Sequence, residues 1–127
     1  MKIGIIISAR NKSTRLKNKL FLKIGKVSII QFLISRAKNI EENIKIILAT
    51  SYDKQDKKLV KIAKREKIFY FKGHKDDKLK RYFNTALKYK LNAMIIIDGD
   101  DPLFFKNLII KLGVVASIQI SSFSQLD

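Results

Sequence analysis

Ile3-Gly4-Ile5-Ile6-Ile7 runs straight into Ser8-Ala9-Arg10-Asn11-Lys12-Ser13-Thr14-Arg15-Leu16-Lys17-Asn18-Lys19, and this junction decides the fold. An unbroken aliphatic run suits a strand buried on both faces, because a half-exposed strand would alternate. The polar, basic run that follows is then a loop at the strand's carboxyl end. Further along, Ser28 is placed to cap a helix whose apolar residues Ile30, Leu33, Ile34 and Ala37 follow the i, i+3, i+4, i+7 spacing. Residues 45–49 read as a second strand. Asp53 suits the N-cap of a second helix with Leu59, Ile62 and Ala63 inward. A short aromatic strand over 68–71 precedes a third helix, capped by Asp76 or Asp77, with Leu79, Tyr82, Phe83, Ala86 and Leu87 on its apolar face. Residues 93–97 form a fourth strand that ends in an acidic loop. Pro102 starts a helix to about Leu112, and 114–120 read as a last strand.

Strands alternating with helices predict an α/β fold, a mostly parallel sheet with helices on both faces. Ligands of such sheets bind outside the carboxyl ends of the strands, which selects loops 8–19, 50–56, 72–78 and 98–102. Residues 1–112 carry this rhythm as one α/β domain, and 113–127 read as a divergent strand and tail.

A chain of 127 residues with 46% hydrophobic content is long enough for one core. No apolar run approaches the ~20 residues of a membrane span, and the start lacks the pattern of a secretory signal. There are no cysteines, which leaves no disulfide and no thiolate metal site. These features predict a cytoplasmic protein with no membrane partner. Lys and Arg number 27 against 11 Asp and Glu, a net charge of +16. Such an excess favours anionic partners such as nucleic acid or phosphorylated ligands, although a Lys-, Ile- and Asn-rich composition produces it as well. No acid precedes Glu41, whereas ten basic residues do, and the acids concentrate at Asp98, Asp100 and Asp101.

The basic loop offers two arginines, lysines and hydroxyls to a triphosphate, since Arg presents a planar fork, Lys a mobile point charge and Ser or Thr a donor. It lacks the Gly-Lys-Ser/Thr ending of a Walker A loop. The acidic loop Asp98-Gly99-Asp100-Asp101-Pro102-Leu103 places carboxylates where Mg2+ is held between protein and phosphates. Capping of the helix at Pro102 accounts for one of these acids and leaves the others unexplained. In a parallel sheet the two loops share one edge, and together they form the minimum apparatus for nucleotidyl transfer.

The segments Ile6-Ile7-Ser8-Ala9-Arg10, Ser13-Thr14-Arg15-Leu16 and Lys19 resemble the N-terminal signature of the cytidylyltransferases. This family includes CMP-acylneuraminate and CMP-ketodeoxyoctulosonate synthetases and the SpsF-like spore coat polysaccharide proteins. Leu48-Ala49-Thr50-Ser51 resembles its strand end, Gly73 with Asp76-Asp77, Leu79 and Arg81-Tyr82 its SpsF-like segment, and Gly99-Asp100 with Pro102-Leu103 its Gly-Asp-x-Pro-Leu motif. The resemblance covers about residues 3–110. It implies a Rossmann-like sheet of the nucleotide-diphospho-sugar transferase type, truncated, and transfer of CMP from CTP to a sugar hydroxyl with Mg2+. Carried over by position, Arg10, Arg15 and Lys19 are catalytic, and Ala9, Arg10, Ser13, Thr14, Arg15 and Lys19 bind the nucleotide phosphates. Thr50, Ser51, Gly73 and Asp77 lie near base and ribose, and Asp100 holds the metal. The chain departs from the family at Lys12, where glycine is usual, and at Lys17, where proline is usual. The family's C-terminal half, with most of the sugar pocket, has no counterpart after about residue 112.

Other residues point to simpler roles. His74 reads as a surface residue, Tyr82, Phe83 and Tyr89 as core, and lysines 54, 57, 58, 61, 64 and 67 as the solvated face of a helix. Two alternatives to catalysis follow from the sequence. One is a non-catalytic truncated relative that binds nucleotide or acts as a homodimer. The other is a basic nucleic-acid-binding module, which ranks last because charge alone does not generate four ordered motifs.

Overall fold

The computed structural model describes residues 2–11, 18–40 and 43–99. Its elements in chain order are β1 (Ile3–Ser8), β2 (Lys23–Ile24), β3 (Val27–Ser28), α1 (Ile29–Lys38), β4 (Lys45–Ser51), α2 (Lys57–Arg65), β5 (Phe69–Gly73), α3 (Lys78–Lys88) and β6 (Ala93–Asp98). Short 3-10 turns occupy Lys19–Phe21 and Lys54–Asp56. Four strands form a parallel sheet in the order β5-β4-β1-β6, and β2 and β3 form a small antiparallel hairpin. The sheet is Rossmann-like, as the alternation predicts.

The aliphatic run of β1 lies inside the sheet because both of its faces are covered. Ile5 and Ile7 meet Ile30, Leu33 and Ile34 of α1 and Leu59 and Ile62 of α2 on one face. Ile6 meets Tyr82 of α3, with Ala49 and Met94, on the other. The first two helices therefore cover one side of the sheet and the third covers the opposite side.

Helix α1 begins as its sequence predicts. The Ser28 Oγ accepts from the Gln31 backbone N–H at 3.2 Å, and the Gln31 Oε1 accepts from the Ser28 N–H at 3.1 Å, completing a capping box. Helix α2 differs from expectation at its start. Asp53 precedes the 3-10 turn without a side-chain cap, and Asp56, next to α2, makes none either, because both carboxylates are turned toward Arg10. In α3 the Asp77 carboxylate caps by accepting from the Lys80 N–H at 3.0 Å.

The buried face of α3 also departs from its apolar pattern. Arg81, Tyr82 and Thr85 are buried, whereas Leu79 and Leu87 are 62% and 61% exposed. The physical reason is Arg81, whose stem passes over Gly73 and whose guanidinium reaches the end of β1, so the helix is turned to admit it. At the far end, the Tyr89 hydroxyl donates to the Tyr70 carbonyl at 2.7 Å and its ring stands edge-on to Phe69. The expected helix at Pro102 and strand over 114–120 lie outside the described residues. Among the described residues no helix is long and apolar enough to cross a membrane.

Candidate functional site

The chain order and the sheet order together locate a crevice. Strands β1, β4 and β5 are laid down successively in one direction, after which the chain returns across the sheet to place β6 on the other side of β1. The gap between the carboxyl ends of β1 and β6 is thus the topological switch point, where ligands of open α/β sheets bind. Ser8 and Asp98 are register partners at this point. The Gly99 N–H donates to the Ser8 carbonyl at 2.8 Å. A Cβ on Gly99 would lie 3.0 Å from that carbonyl oxygen, so glycine here serves the close approach of the two strands.

Two arginines lace the loops around this edge. Arg10 leaves the end of β1 and donates from Nε to the Asp56 Oδ2 at 2.8 Å and from Nη2 to the Asp53 Oδ2 at 2.6 Å. Its Nη1 donates to the Lys75 carbonyl. Asp56 is fully buried and also accepts from the Asn11 N–H at 2.7 Å and from the Ser51 hydroxyl. Arg81 comes from the other face. Its Nη2 donates to the Ser8 Oγ at 3.0 Å and its Nη1 to the His74 carbonyl at 2.9 Å. Its Nε is buried and has no hydrogen-bond partner among the described residues. Burial is the main influence that lowers the Arg81 guanidinium from its ordinary value; the Arg10 charge lowers it further, while Tyr82, Asp56 and Asp98 favour the cation.

The candidates from sequence fall into this frame unevenly. Ala9 is buried, and its N–H donates to the Ala49 carbonyl at 3.1 Å, which sets the exit of the basic loop. Arg10 and Ser51 meet at Asp56. Thr50 is fully buried, and its hydroxyl has no hydrogen-bond partner among the described residues. At Gly73 a Cβ would meet the Phe71 ring at 2.7 Å and the Arg81 Cγ at 3.0 Å, so packing against Arg81 accounts for this glycine. Asp77 caps α3 and lies just beyond the β5 end. Lys19 opens the 3-10 turn that follows the basic loop. Ser13, Thr14, Arg15 and Asp100 lie outside the described residues. The residues on either side of segment 12–17 are tied together, as the Asn11 Nδ2 donates to the Asn18 Oδ1 at 2.8 Å.

Sequence reasoning did not assign roles to Asp53, Asp56 or Arg81 at this edge. Two acids three residues apart directly after a strand, in so basic a chain, were the available signal for the first two. Arg81 stands in a family-like segment, but a charged residue on a helix carries no local signal of burial. His74 is exposed as expected, and its Nδ1 accepts from the Asp76 and Asp77 N–H groups at 3.2 and 2.9 Å, closing the turn before α3. Asp98 pairs with the Lys78 Nζ at 3.3 Å. Among the described residues no group of three or more His, Cys, Asp or Glu side chains is arranged to hold a metal ion.

The cytidylyltransferase family profile matches residues 4–114. The chain belongs to the cytidylyltransferase family. Within it, an uncharacterized protein of Methanocaldococcus jannaschii is 38% identical over 111 residues, covering 87% of this chain and 46% of that protein. The structure of a cytidylyltransferase from Leptospira borgpetersenii serovar Hardjo-bovis superposes with a TM-score of 0.72 at 35% identity, covering 81% of this chain and 43% of that one. The CMP:2-keto-3-deoxy-manno-octonic acid synthetase complexed with CTP shares the fold at a TM-score of 0.65 and 23% identity, over 81% of this chain and 42% of that one. This cytidylyltransferase chain therefore spans less than half the length of the relatives it matches.

Proposed function

We propose that this chain supplies the nucleotide-binding part of a sugar cytidylyltransferase, of the kind that loads CMP from CTP onto acidic or spore-coat sugars. The observation that carries the proposal is the Ser8 and Asp98 register at the switch point of a cytidylyltransferase-family sheet, which supports a reading in which the segments that follow these two strand ends serve one crevice. In the reaction a sugar hydroxyl oxygen forms a bond to the α-phosphorus of CTP. The bond from that phosphorus to the β-phosphate oxygen breaks, pyrophosphate leaves, and the hydroxyl proton passes to solvent.

Arg15 and Lys19, with Ser13 and Thr14, are the groups we assign to the phosphates. Arg10 joins them at the root of the loop, where its ties to Asp53 and Asp56 hold the loop's first residues in place. Thr50, Ser51, Gly73 and Asp77 are assigned to the side of the crevice that takes the base and ribose. Asp100 is assigned to Mg2+, which when bound would neutralise charge developing at the α-phosphate. The donor set fits a hard cation, because Asp98 ends β6 beside β1 and Mg2+ needs only one or two carboxylates in addition to phosphate and water.

Calorimetric titration of CTP and Mg2+ into the chain, into Arg15→Ala and into Asp100→Asn tests the assignment. The expected result is a loss of affinity of about tenfold or more in each variant, the scale of one charge-assisted contact. Equal affinity in all three proteins would remove the site.

A further inference from the structure

Lys23, Lys58, Lys61 and Arg65 converge on one groove of about 290 Å³ between the hairpin, α1 and α2. We propose that this groove is a second anion site, for a compact organic phosphate carrying two phosphoryl groups. It lies on the sheet face covered by α1 and α2, since its apolar floor is Phe21 and Ile62, both packed with that core. The switch-point crevice lies instead at the sheet edge, between the ends of β1 and β6. The proposal therefore does not rest on the cytidylyl-transfer assignment.

Three observations define the ligand. The groove presents donors almost exclusively. The lysine ammoniums and the Arg65 fork only donate. Gln31, also in the lining, has its Oε1 committed to Ser28, and its Nε2 donates to no described residue. The Ser28 hydroxyl, the remaining acceptor, is held in the capping box. A lining of this kind is complementary to a group that only accepts, such as phosphate.

The positive charge is also left unneutralised by the described residues. The acids nearest in sequence to α2 are engaged elsewhere: Asp53 and Asp56 with Arg10, and Glu66 with Lys38 at 3.6 Å. Lys58, Lys61 and Arg65 recur at i, i+3 and i+7, so like charges face one another along the helix, which disfavours the unliganded state. Four cations match two phosphates of about −1.5 to −2 each.

Finally, the volume sits at the small end of the range for small-molecule sites, roughly 300–1,000 Å³. The Phe21 ring carries the Lys58 Nζ 5.8 Å from its centroid, which leaves no open aromatic plane for stacking bases along a nucleic-acid strand. A second copy of so basic a chain would bring like charge to the groove.

The test is an NMR titration of the full chain with a hexose bisphosphate, and with a hexose monophosphate as control, at about 0.15 M salt to screen diffuse attraction. We expect the Ser28 and Ile62 amides and the Gln31 side-chain amide to shift, with the bisphosphate bound about tenfold tighter or more. K61E/R65E should weaken it by about tenfold or more, and K57E/K64E, the same charge change away from the groove, by no more than about threefold. Each spectrum also reports whether the variant is folded, and Lys61→Gln serves if K61E/R65E is not. CTP affinity should be unchanged in K61E/R65E. Equal weakening by both double variants, equal affinity for the two sugars, or shifts spread over all lysine-bearing surfaces would overturn the proposal.

Discussion

Arg81 Nη2 donates to the Ser8 Oγ at 3.0 Å across 73 positions of sequence, joining the third helix to the end of the central strand. Arg81 is 1% exposed, and both described acceptors of its guanidinium are neutral. Arg81→Ala would lose both bonds and open a void behind the Ser8 loop. We expect unfolding free energy to fall by about 2–4 kcal/mol, with Arg81→Lys, which keeps the charge and loses the fork, falling in between. Urea denaturation of the three proteins checks the order. A lysine variant as stable as the wild type would show that charge, and not the fork, is what the site requires.

Asp56 gathers Arg10, Asn11 and Ser51 at a fully buried carboxylate. Removing it strands the Arg10 cation and two other donors. Asp56→Ala should cost about 3–5 kcal/mol, the scale for breaking a buried pair from one side. Asp53→Ala should cost no more than about 1 kcal/mol, because Asp53 is partly exposed and shares only one arginine nitrogen. Thermal and urea unfolding of both variants decides this, and similar losses would contradict the unequal roles.

Two glycines separate packing from flexibility. At Gly73 an added methyl would press on the Phe71 ring and the Arg81 stem, whereas at Gly4 it would meet only the flexible end of Leu91, at 2.6 Å. Gly73→Ala is expected to lose about 1–3 kcal/mol, and Gly4→Ala clearly less. Comparison of their denaturation midpoints tests the ranking.

Burial, with Tyr70 as a smaller contributor, raises the Tyr89 phenol above its ordinary 10.0. The folded chain therefore keeps this group neutral where the unfolded chain ionises it. Its contribution is complete below pH 10 and is lost as pH climbs through the raised folded value. Tyr89→Phe should cost about 1 kcal/mol near neutrality through the lost bond to Tyr70 and should flatten the alkaline decline. Parallel alkaline slopes for wild type and variant, from denaturation at about pH 7 and about pH 11, would assign that decline to other groups.

Much of this was legible in the residues. The aliphatic run of β1, the Ser28 cap and the spacing of Ile30, Leu33, Ile34 and Ala37 predicted elements that the structure contains, because local pattern and tertiary burial agree there. Asp53 and Leu79 were misread for a shared reason. A cap and an apolar stripe are local inferences, and both were overridden by arginines arriving from distant segments. Arg10 drew Asp53 and Asp56 away from the helix end, and Arg81 rotated α3 so that Leu79 and Leu87 face outward. The edge that carries the candidate site was predicted by topology alone. The bonds of Arg10 to Asp53 and Asp56 and of Arg81 to Ser8 join residues more than 40 positions apart, which no periodicity encodes.

The central position of β1 bears on how the chain is made. Ile3 pairs with Ala93, 90 residues later, while the β4 side of β1 finds its partner much sooner. At about 5–20 residues per second of synthesis, β1 waits several seconds on the ribosome with one hydrogen-bonding edge bare. An unpaired edge of isoleucines is an invitation to neighbouring nascent chains. Among the described strands β6 is the last to be made, so the crevice between β1 and β6 takes shape only with the arrival of Asp98.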